Sequence, residues 1–234
     1  MNPAMQIGSN TRFLVYLVRT GQIKTVAATV RQKFWSDTIS FGLRRDLTVP
    51  YPAPDAAMPI AIRQATTADV DRMMNLHESG VPPEELEERR DRRGECDHGM
   101  LPTSYVGVTE DGDPCFFQML IYPEQNHVSK KLWDKAFPVV EPGQVMLEGV
   151  LVPSAFRGKK IMPMAMAKLS ELASNPTTTE AITFVDRHNI PSLKGCIRAG
   201  YVPYCQRVRR WRCFHESVSF VPVPLRISIP GVTD

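Results

Sequence analysis

The sequence lacks an apolar run long enough to cross a membrane. The run at residues 13–18 is flanked by Arg12 and Arg19, whereas a membrane-spanning helix needs about 20 apolar residues. The run is also too short for a signal-peptide core with a cleavage site. We therefore predict no transmembrane segment and no export signal.

Paired cysteines and a large charge excess are missing as well. The five cysteines are scattered, and no two have the C-x-x-C spacing of a zinc site. We predict no metal and a reduced, cytoplasmic setting. The net charge of +3 is too small for a dedicated nucleic-acid-binding protein, so no nucleic-acid partner is favoured. An anionic ligand would have to meet a local basic patch.

Prolines divide the chain. Pro50, Pro52, Pro54 and Pro59 block both helix and sheet ladder, which predicts an N-terminal extension at residues 1–59 and a main domain at residues 60–234. Within the extension, helical periodicity predicts an amphipathic helix at residues 13–35, and alternation predicts a strand at residues 38–47. We expect the helix to pack on the main domain or on a second subunit of a homodimer, with a membrane surface as the alternative.

The main domain alternates strands and helices. From residue 60 the periodicities predict the order β, α, α, β, β, β, α, β, α, β, β, an α/β or α+β sheet layered by helices. Thr66 or Thr67 caps the first helix, and an Asp-Gly turn joins the strands at residues 104–109 and 115–122 into a hairpin. The blocks of acid and base at residues 84–93 are typical of a solvated helix, and we assign them no chemistry.

A basic turn joins a strand to a helix at residues 150–162, V-L-V-P-S-A-F-R-G-K-K-I-M. The free N–H groups of a helix start point at one spot, where the helix dipole adds about half a positive charge. Arg157, Lys159 and Lys160 add full charges, and Pro163 falls in the first turn, where its missing N–H is not needed. The pattern predicts a phosphate site, with a solvated loop as the alternative.

Two motifs in this order resemble the GNAT superfamily, the acyl-CoA-dependent N-acyltransferases. Its donor loop reads [R/Q]-x-x-G-x-[G/A] after a strand ending V-x-P or similar, and Arg157 fills the first position, although Lys160 and Met162 stand at the two small ones. Its second segment, N-x-x-[S/A], matches N-I-P-S at residues 189–192, followed at the family's spacing by Gly200 and Tyr201. The resemblance covers roughly residues 60–223.

The resemblance implies a mixed, mostly antiparallel sheet layered by helices. It also implies transfer of an acetyl or other acyl group from acyl-CoA, a substrate here, to a primary amine by direct attack on the thioester. Backbone groups of residues 150–152 would hold the pantetheine, and the Val152 N–H would polarise the carbonyl. For Asn189, a turn or helix cap is an equal alternative. The implied donor-binding residues are Val150, Leu151, Val152, Arg157, Gly158, Lys159, Lys160, Ile161, Met162, Asn189 and Ser192.

Acyl transfer also needs a base and an acid. Glu148 lies four residues before Val152, which predicts the same face of the strand, and its apolar neighbours would raise the pKa of a catalytic base. The alternative is a carboxylate that pairs with an arginine or faces water. The family often has a Tyr seven residues after the motif Asn, where this chain has Cys196. The Cys196 thiol is the candidate acid, and the alternative is that Cys196 is a core residue. Tyr201 and Tyr204 are further candidates for the acid.

Other functions stay open at this point. Lys160, Met162 and the Met-rich helix that follows are compatible with a transferase for long acyl chains carried by CoA or acyl carrier protein, or with a regulatory domain that binds acyl-CoA without turnover. Basic residues alternate around Trp211, from Arg207 to Arg212, and could grip a nucleic acid. A solvated strand is the favoured interpretation of that segment.

Overall fold

The computed structural model describes residues 30–223. These residues divide into two compact units, one of residues 40–207 and 221–223 and the other of residues 30–39 and 208–220. The strands are β1 (Trp35–Asp46), β2 (Ala61–Gln64), β3 (Ser104–Val108), β4 (Pro114–Ile121), β5 (Gln144–Leu151), β6 (Glu180–Asp186), β7 (Val202–Arg212) and β8 (His215–Pro222). The helices are α1 (Thr67–Met73), α2 (Pro83–Glu95), α3 (Asn126–Trp133), α4 (Ile161–Ala173) and α5 (Ile190–Arg198).

The strands form one mixed sheet. Their order is β2-β3-β4-β5-β6-β1-β7-β8. The β2–β3, β3–β4, β4–β5 and β1–β6 pairs are antiparallel, and the β5–β6 pair is parallel. The predicted fold class, a mostly antiparallel mixed sheet layered by helices, is confirmed.

In the larger unit, helices cover both faces of the sheet. The core on one face joins α4 and α5 to residues such as Phe116 and Leu147. The core on the other face joins α1 and the residues after α2 to Phe117 and Met146, with the apolar side of α3 against it. Neighbouring strand residues contribute to opposite cores because side chains alternate along a strand. This alternation decides which of the two cores Glu148 faces.

The start of α1 follows its prediction. Thr66 is the N-cap, and its hydroxyl and the Asp69 carboxylate form a capping box. Arg63 makes two hydrogen bonds to Asp69. The hydrogen bonds from Arg63 hold the pKa of the Asp69 carboxyl well below its ordinary range.

The strand of the predicted N-terminal extension, β1, lies inside the sheet, and the domain boundary predicted at residue 59 stays a prediction. Residues Ser40 to Asp46 pair with β6. The proline-rich connector also packs on the main domain: the Ala57 N–H donates to the Lys159 carbonyl at 2.9 Å, and the Tyr51 ring lies against Gly200, where an added Cβ would be 2.8 Å from the ring. The prolines thus lie in an extended segment that contacts the main domain.

The helix predicted at residues 84–93 is not fully solvated. The helix exists as α2, but its residues Glu85 and Arg89 are buried, with relative exposures of 0% and 3%. Arg89 donates from Nε and Nη2 to Glu85 Oε1, and from Nη1 to Glu78 Oε2. Pairing at i and i+4 made these residues look like a surface ion pair in the sequence.

Most of the predicted N-terminal helix, up to residue 29, lies outside the described residues. Its packing partner, including a second subunit or a membrane, therefore stays a prediction. Within residues 30–223 no helix has the length and apolar character needed to cross a bilayer. Over the same residues, no group of three or more His, Cys, Asp or Glu side chains could hold a metal ion.

Candidate active site

A β-bulge interrupts β5 at Gly149. Met119 pairs with Glu148 and Phe117 with Leu151, so two residues of β5 face one residue of β4. Gly149 has φ +70°, and an added Cβ would lie 2.1 Å from Met119 Cε and 2.7 Å from Arg92 Nη1. The positive φ favours glycine here, and a larger residue would have to displace the ends of the Met119 and Arg92 side chains.

Next to the bulge, β5 separates from β6. Their parallel pairing covers Gln144 to Met146 on β5. Further along, the Phe184 N–H of β6 donates to Glu148 Oε1 at 2.8 Å, so a side chain takes the place of the neighbouring strand. The backbone of residues 149–152 is thereby released from β6.

The basic turn after β5 ends in an open helix start. Gly158 has φ +79° and Lys160, the N-cap of α4, has φ +56° and ψ +23°. No side-chain hydrogen bond from the described residues caps α4, and its first turn carries no acidic residue. Pro163 is the third helical residue. The turn thus presents N–H groups and the positive end of a helix dipole.

Lys160 is one of the two residues that depart from the GNAT motif. The motif has a small residue at this position, and here a lysine adopts the left-handed backbone conformation that favours glycine. The loop thus has at Lys160 a backbone conformation that glycine adopts readily.

Met162 is the second residue that departs from the GNAT motif. Its side chain lies against Gly195 of α5, where an added Cβ would be 3.0 Å from Met162 Sδ. A small residue on α5 thus leaves room for the large one on α4. Met164 and Met166 of the same helix are buried in the core.

A cleft of about 590 Å³ opens at this turn. Two of the implied donor-binding residues do not line it: Leu151 is buried, and the Lys159 ammonium lies 5.0 Å from the centre of the Phe156 ring. The other implied residues line it together: Val150, Val152, Arg157, Gly158, Lys160, Ile161, Met162, Asn189 and Ser192.

Asn189 caps α5. Its Oδ1 accepts a hydrogen bond from the Ser192 N–H at 3.2 Å, which matches the capping alternative. The residue also lines the cleft. One position therefore orders the helix start and borders the cavity.

The sequence interpretation missed three charged residues of the cleft. Lys194 and Arg198 of α5 and Glu88 of α2 line it. Lys194 and Arg198 lie four residues apart on one helical face, a spacing that could have identified them. With Arg157 and Lys160, they give the cleft an excess of positive charge.

Arg157 is held by carboxylates of α2. Its Nε donates to the Val152 carbonyl at 3.1 Å, and its Nη2 lies 3.6 Å from both Glu85 Oε2 and Glu88 Oε2. Glu85 Oε2 also accepts a hydrogen bond from the Ser154 N–H at 2.8 Å. Burial raises the pKa of the Glu88 carboxyl. Helix α2 therefore holds the basic turn in place.

Glu148, the candidate base, lies at the separation of β5 and β6. Burial raises its pKa to about 7, against the lowering effects of Arg207, the Phe184 N–H and Arg92. The prediction that Glu148 and Val152 share a face is wrong. The bulge at Gly149 shifts the alternation, so Val150 and Val152 pack against the core of α4 and α5, whereas Glu148 pairs with Met119 of the opposite core.

The structure argues against the roles suggested for Cys196 and Tyr201. The Cys196 thiol is fully buried, 3.9 Å from Met166 Sδ, and burial raises its pKa. Like Glu148, it is not among the residues that line the cleft, and its raised pKa makes the thiol a weak acid. Tyr201 is fully buried and shares a hydrogen bond with Ser170. Tyr204 packs on Phe184, and burial raises its pKa too.

Three of the four arginines near Trp211 make contacts within the protein. Arg207 donates to the Ala136 carbonyl and to Ser40 Oγ. Arg209 pairs with Glu216, and Arg212 pairs with Asp37. These contacts reduce the charge that a nucleic acid could use.

Comparison with solved structures identifies the fold. No protein family and no curated protein matches the sequence. A structure described as a GCN5-related glucosamine N-acetyltransferase region of the fungal multi-domain GH3 β-N-acetylglucosaminidase matches with a TM-score of 0.53 and 18% identity. The match covers 81% of this chain but only 22% of that protein.

Two further structures are similar to this chain. A conserved protein of unknown function from Staphylococcus epidermidis ATCC 12228 matches with a TM-score of 0.52 and 10% identity, over 81% of this chain and 67% of the other. A GCN5-related N-acetyltransferase from Sphaerobacter thermophilus matches with a TM-score of 0.49 and 16% identity, over 87% and 58%. The chain has the fold of the GCN5-related N-acetyltransferases.

Proposed function

We propose that this protein is an N-acyltransferase that moves an acetyl or other acyl group from acyl-CoA to a primary amine. One observation carries the proposal: the released end of β5, the open start of α4 and the capped start of α5 border the same cleft. The N–H groups of the turn suit a diphosphate. Arg157, Lys160, Lys194 and Arg198 suit the remaining phosphate charge of CoA.

In this proposal the released strand end positions the thioester. Backbone groups of residues 150–152 hold the pantetheine, and the Val152 N–H donates to the thioester carbonyl, whose oxygen gains charge as the amine attacks. Glu148 is buried beside the released strand and is not among the residues that line the cleft, so it accepts the proton of the amine through a water molecule. A pKa of about 7 suits a base near neutral pH. The C–S bond then breaks, and the CoA thiolate takes a proton from solvent water. Cys196 has no part in the step.

A second candidate function is binding of acyl-CoA without turnover. Two observations favour it: Lys160 and Met162 occupy the small positions of the donor motif, and Cys196 is shut away from the cleft. A transferase for long acyl chains, on CoA or acyl carrier protein, has less support because Met164 and Met166 are buried in the core.

Of the five cysteines four are buried and none is in a disulfide, which fits the proposed cytoplasmic setting.

Release of free CoA tests the proposal. Purified protein is incubated with acetyl-CoA and a panel of primary amines, and the free thiol is measured. The proposal expects release with at least one amine, a large loss in Glu148→Gln, and an unchanged rate in Glu110→Gln, which alters an exposed turn. Binding of acetyl-CoA with no thiol release from any amine would leave the regulatory alternative. Thioesters of graded chain length identify the preferred acyl group.

A further inference from the structure

Arg207 joins three parts of the larger unit. From β7, its Nη1 donates to the Ala136 carbonyl at 2.7 Å, and its Nη2 donates to Ser40 Oγ of β1 at 3.0 Å. Ala136 belongs to the segment between α3 and β5. The guanidinium thus links β7 and β1 to a segment that comes directly before the strand with the bulge.

The guanidinium also lies among aromatic rings. Its centre is 4.7 Å from the Phe137 ring and 5.4 Å from the Phe184 ring. Trp133 packs edge-on against Phe137, which packs edge-on against Phe184. Phe184 is the residue whose N–H binds the Glu148 carboxylate. Arg207 therefore stacks on the residue that anchors Glu148.

Charged groups from several elements face Glu148. Arg207 of β7 and Arg92 of α2 favour its carboxylate, and Glu95 of α2 opposes it. The Arg92–Glu95 pair is close, with Nη1 2.6 Å from Oε2, and Trp133 donates to the other oxygen of Glu95. On α5, the buried thiol of Cys196 also senses the charge of Glu148. Because Arg92 is paired with Glu95, Arg207 is the main cationic influence on Glu148 among these groups.

We propose that Arg207 is a positioning residue for acyl transfer: it fixes the segment around Phe137 against β6 and supplies the positive field in which Glu148 works as the base. The inference rests on the proposed function. Arg207 acts through Glu148 and Phe184 and need not touch either substrate. Its removal should leave the affinity for the donor unchanged and alter the pH dependence of transfer.

The direction of the effect follows from charge. Loss of a nearby cation disfavours the carboxylate, so the pKa of Glu148 should rise further above 7, by about one pH unit or more. For Arg207→Gln this predicts a loss in kcat/KM of about fivefold at pH 7, which shrinks to less than about twofold at pH 9. A merely structural role would lower the rate equally at both pH values.

Carboxyl NMR titration gives a readout that does not depend on turnover. The ¹³C signal of Glu148, assigned with Glu148→Gln, is followed against pH in the wild type, Arg207→Gln, Arg207→Lys and Arg210→Gln. We expect a higher midpoint in Arg207→Gln, and values close to the wild type in Arg207→Lys, which keeps the charge, and in Arg210→Gln, which alters an exposed arginine of the same strand. Arg207→Met, which keeps the stem against Phe137, replaces Arg207→Gln if the latter does not fold.

The outcomes separate the two claims. Equal midpoints in the wild type and in the uncharged variant would overturn the role of Arg207, whether or not the protein turns over. An upward shift together with the predicted rate profile would support it. An upward shift without CoA release from any amine would support the electrostatic link and reject the proposed transferase activity.

Discussion

Glu148 of β5 accepts a hydrogen bond from the Phe184 N–H of β6, with Oε1 2.8 Å from the nitrogen. This contact lies past the last ladder pair, Met146 with Ile182. A carboxylate thus satisfies a backbone donor that a regular parallel sheet would satisfy with a carbonyl. The same carboxylate is the proposed base, so one side chain both binds the free N–H where β5 and β6 separate and accepts the proton in the proposed reaction.

The raised pKa of Glu148 predicts how stability depends on pH. The folded state keeps the proton up to about pH 7, whereas an unfolded glutamate loses it near pH 4.3. The favourable contribution is present below the unfolded pKa and is lost as pH rises through the folded value. The difference in unfolding free energy, Glu148→Gln minus wild type, should therefore grow between pH 5 and pH 8 in urea titrations. A constant difference would contradict the raised pKa.

Gly149→Ala should damage both stability and activity. Its Cβ would overlap Met119 Cε and approach Arg92, and a left-handed backbone disfavours alanine. We expect a loss of about 2 to 4 kcal/mol in unfolding free energy, measured by denaturant titration. Gly94→Ala is the matched control: it lies in α2 with nothing within 4 Å of the added Cβ, and should be neutral or stabilising by up to about 1 kcal/mol.

Arg157 and Glu88 should have opposite effects on donor affinity. Arg157→Ala removes a cation at the cleft and should weaken binding of CoA by about tenfold. Glu88→Gln removes a negative charge that lines the cleft and competes for Arg157, and should strengthen binding by about two- to fivefold, given the modest strength of exposed ion pairs. Calorimetric titration measures both. Weaker binding in Glu88→Gln would show that the carboxylate does not oppose the donor.

Lys160→Gly should leave the stability unchanged or raise it slightly. Lys160 has φ +56°, and removing the cost of a left-handed lysine, about 1 kcal/mol, offsets the entropy that glycine adds to the unfolded chain. Lys159→Gly, next to it and outside the left-handed region, should instead lose about 0.5 to 1 kcal/mol through the entropy of the unfolded chain. Thermal unfolding of the two variants checks the contrast, and equal melting temperatures would argue against a strained turn.

Local patterns predicted most of the fold. Periodicity predicted β2 to β8 with small shifts in their ends, and Thr66 was identified as a possible cap from the residue type alone. The strand predicted at residues 38–47 corresponds to β1, Trp35–Asp46, but its neighbours in the sheet were not predicted. Its pairing with β6 joins residues more than a hundred positions apart, and no local pattern reports such a contact.

Local motifs indicated the residues of the candidate site that lie close together in the chain, but not those that tertiary contacts bring to it. The turn from Arg157 to Met162 follows from a motif, and most of its residues line one cleft. The bulge at Gly149 reversed the face of Val150 and Val152 relative to Glu148, because a single extra residue shifts every later side chain to the other side. The sequence could not predict the burial of Glu85, because a block of charged residues has the same pattern whether its carboxylates accept hydrogen bonds from water or from a backbone group such as the Ser154 N–H.

The central claim is that the cleft at Lys160 binds the diphosphate of acyl-CoA. Calorimetric titration with acetyl-CoA at about 0.15 M salt, the physiological range, tests it most directly in the wild type and in Lys160→Glu, which places a negative charge at the start of α4. The account predicts saturable binding at one site, weakened by roughly tenfold or more in the variant. No binding to the wild type, or equal affinity in the two proteins, would contradict it.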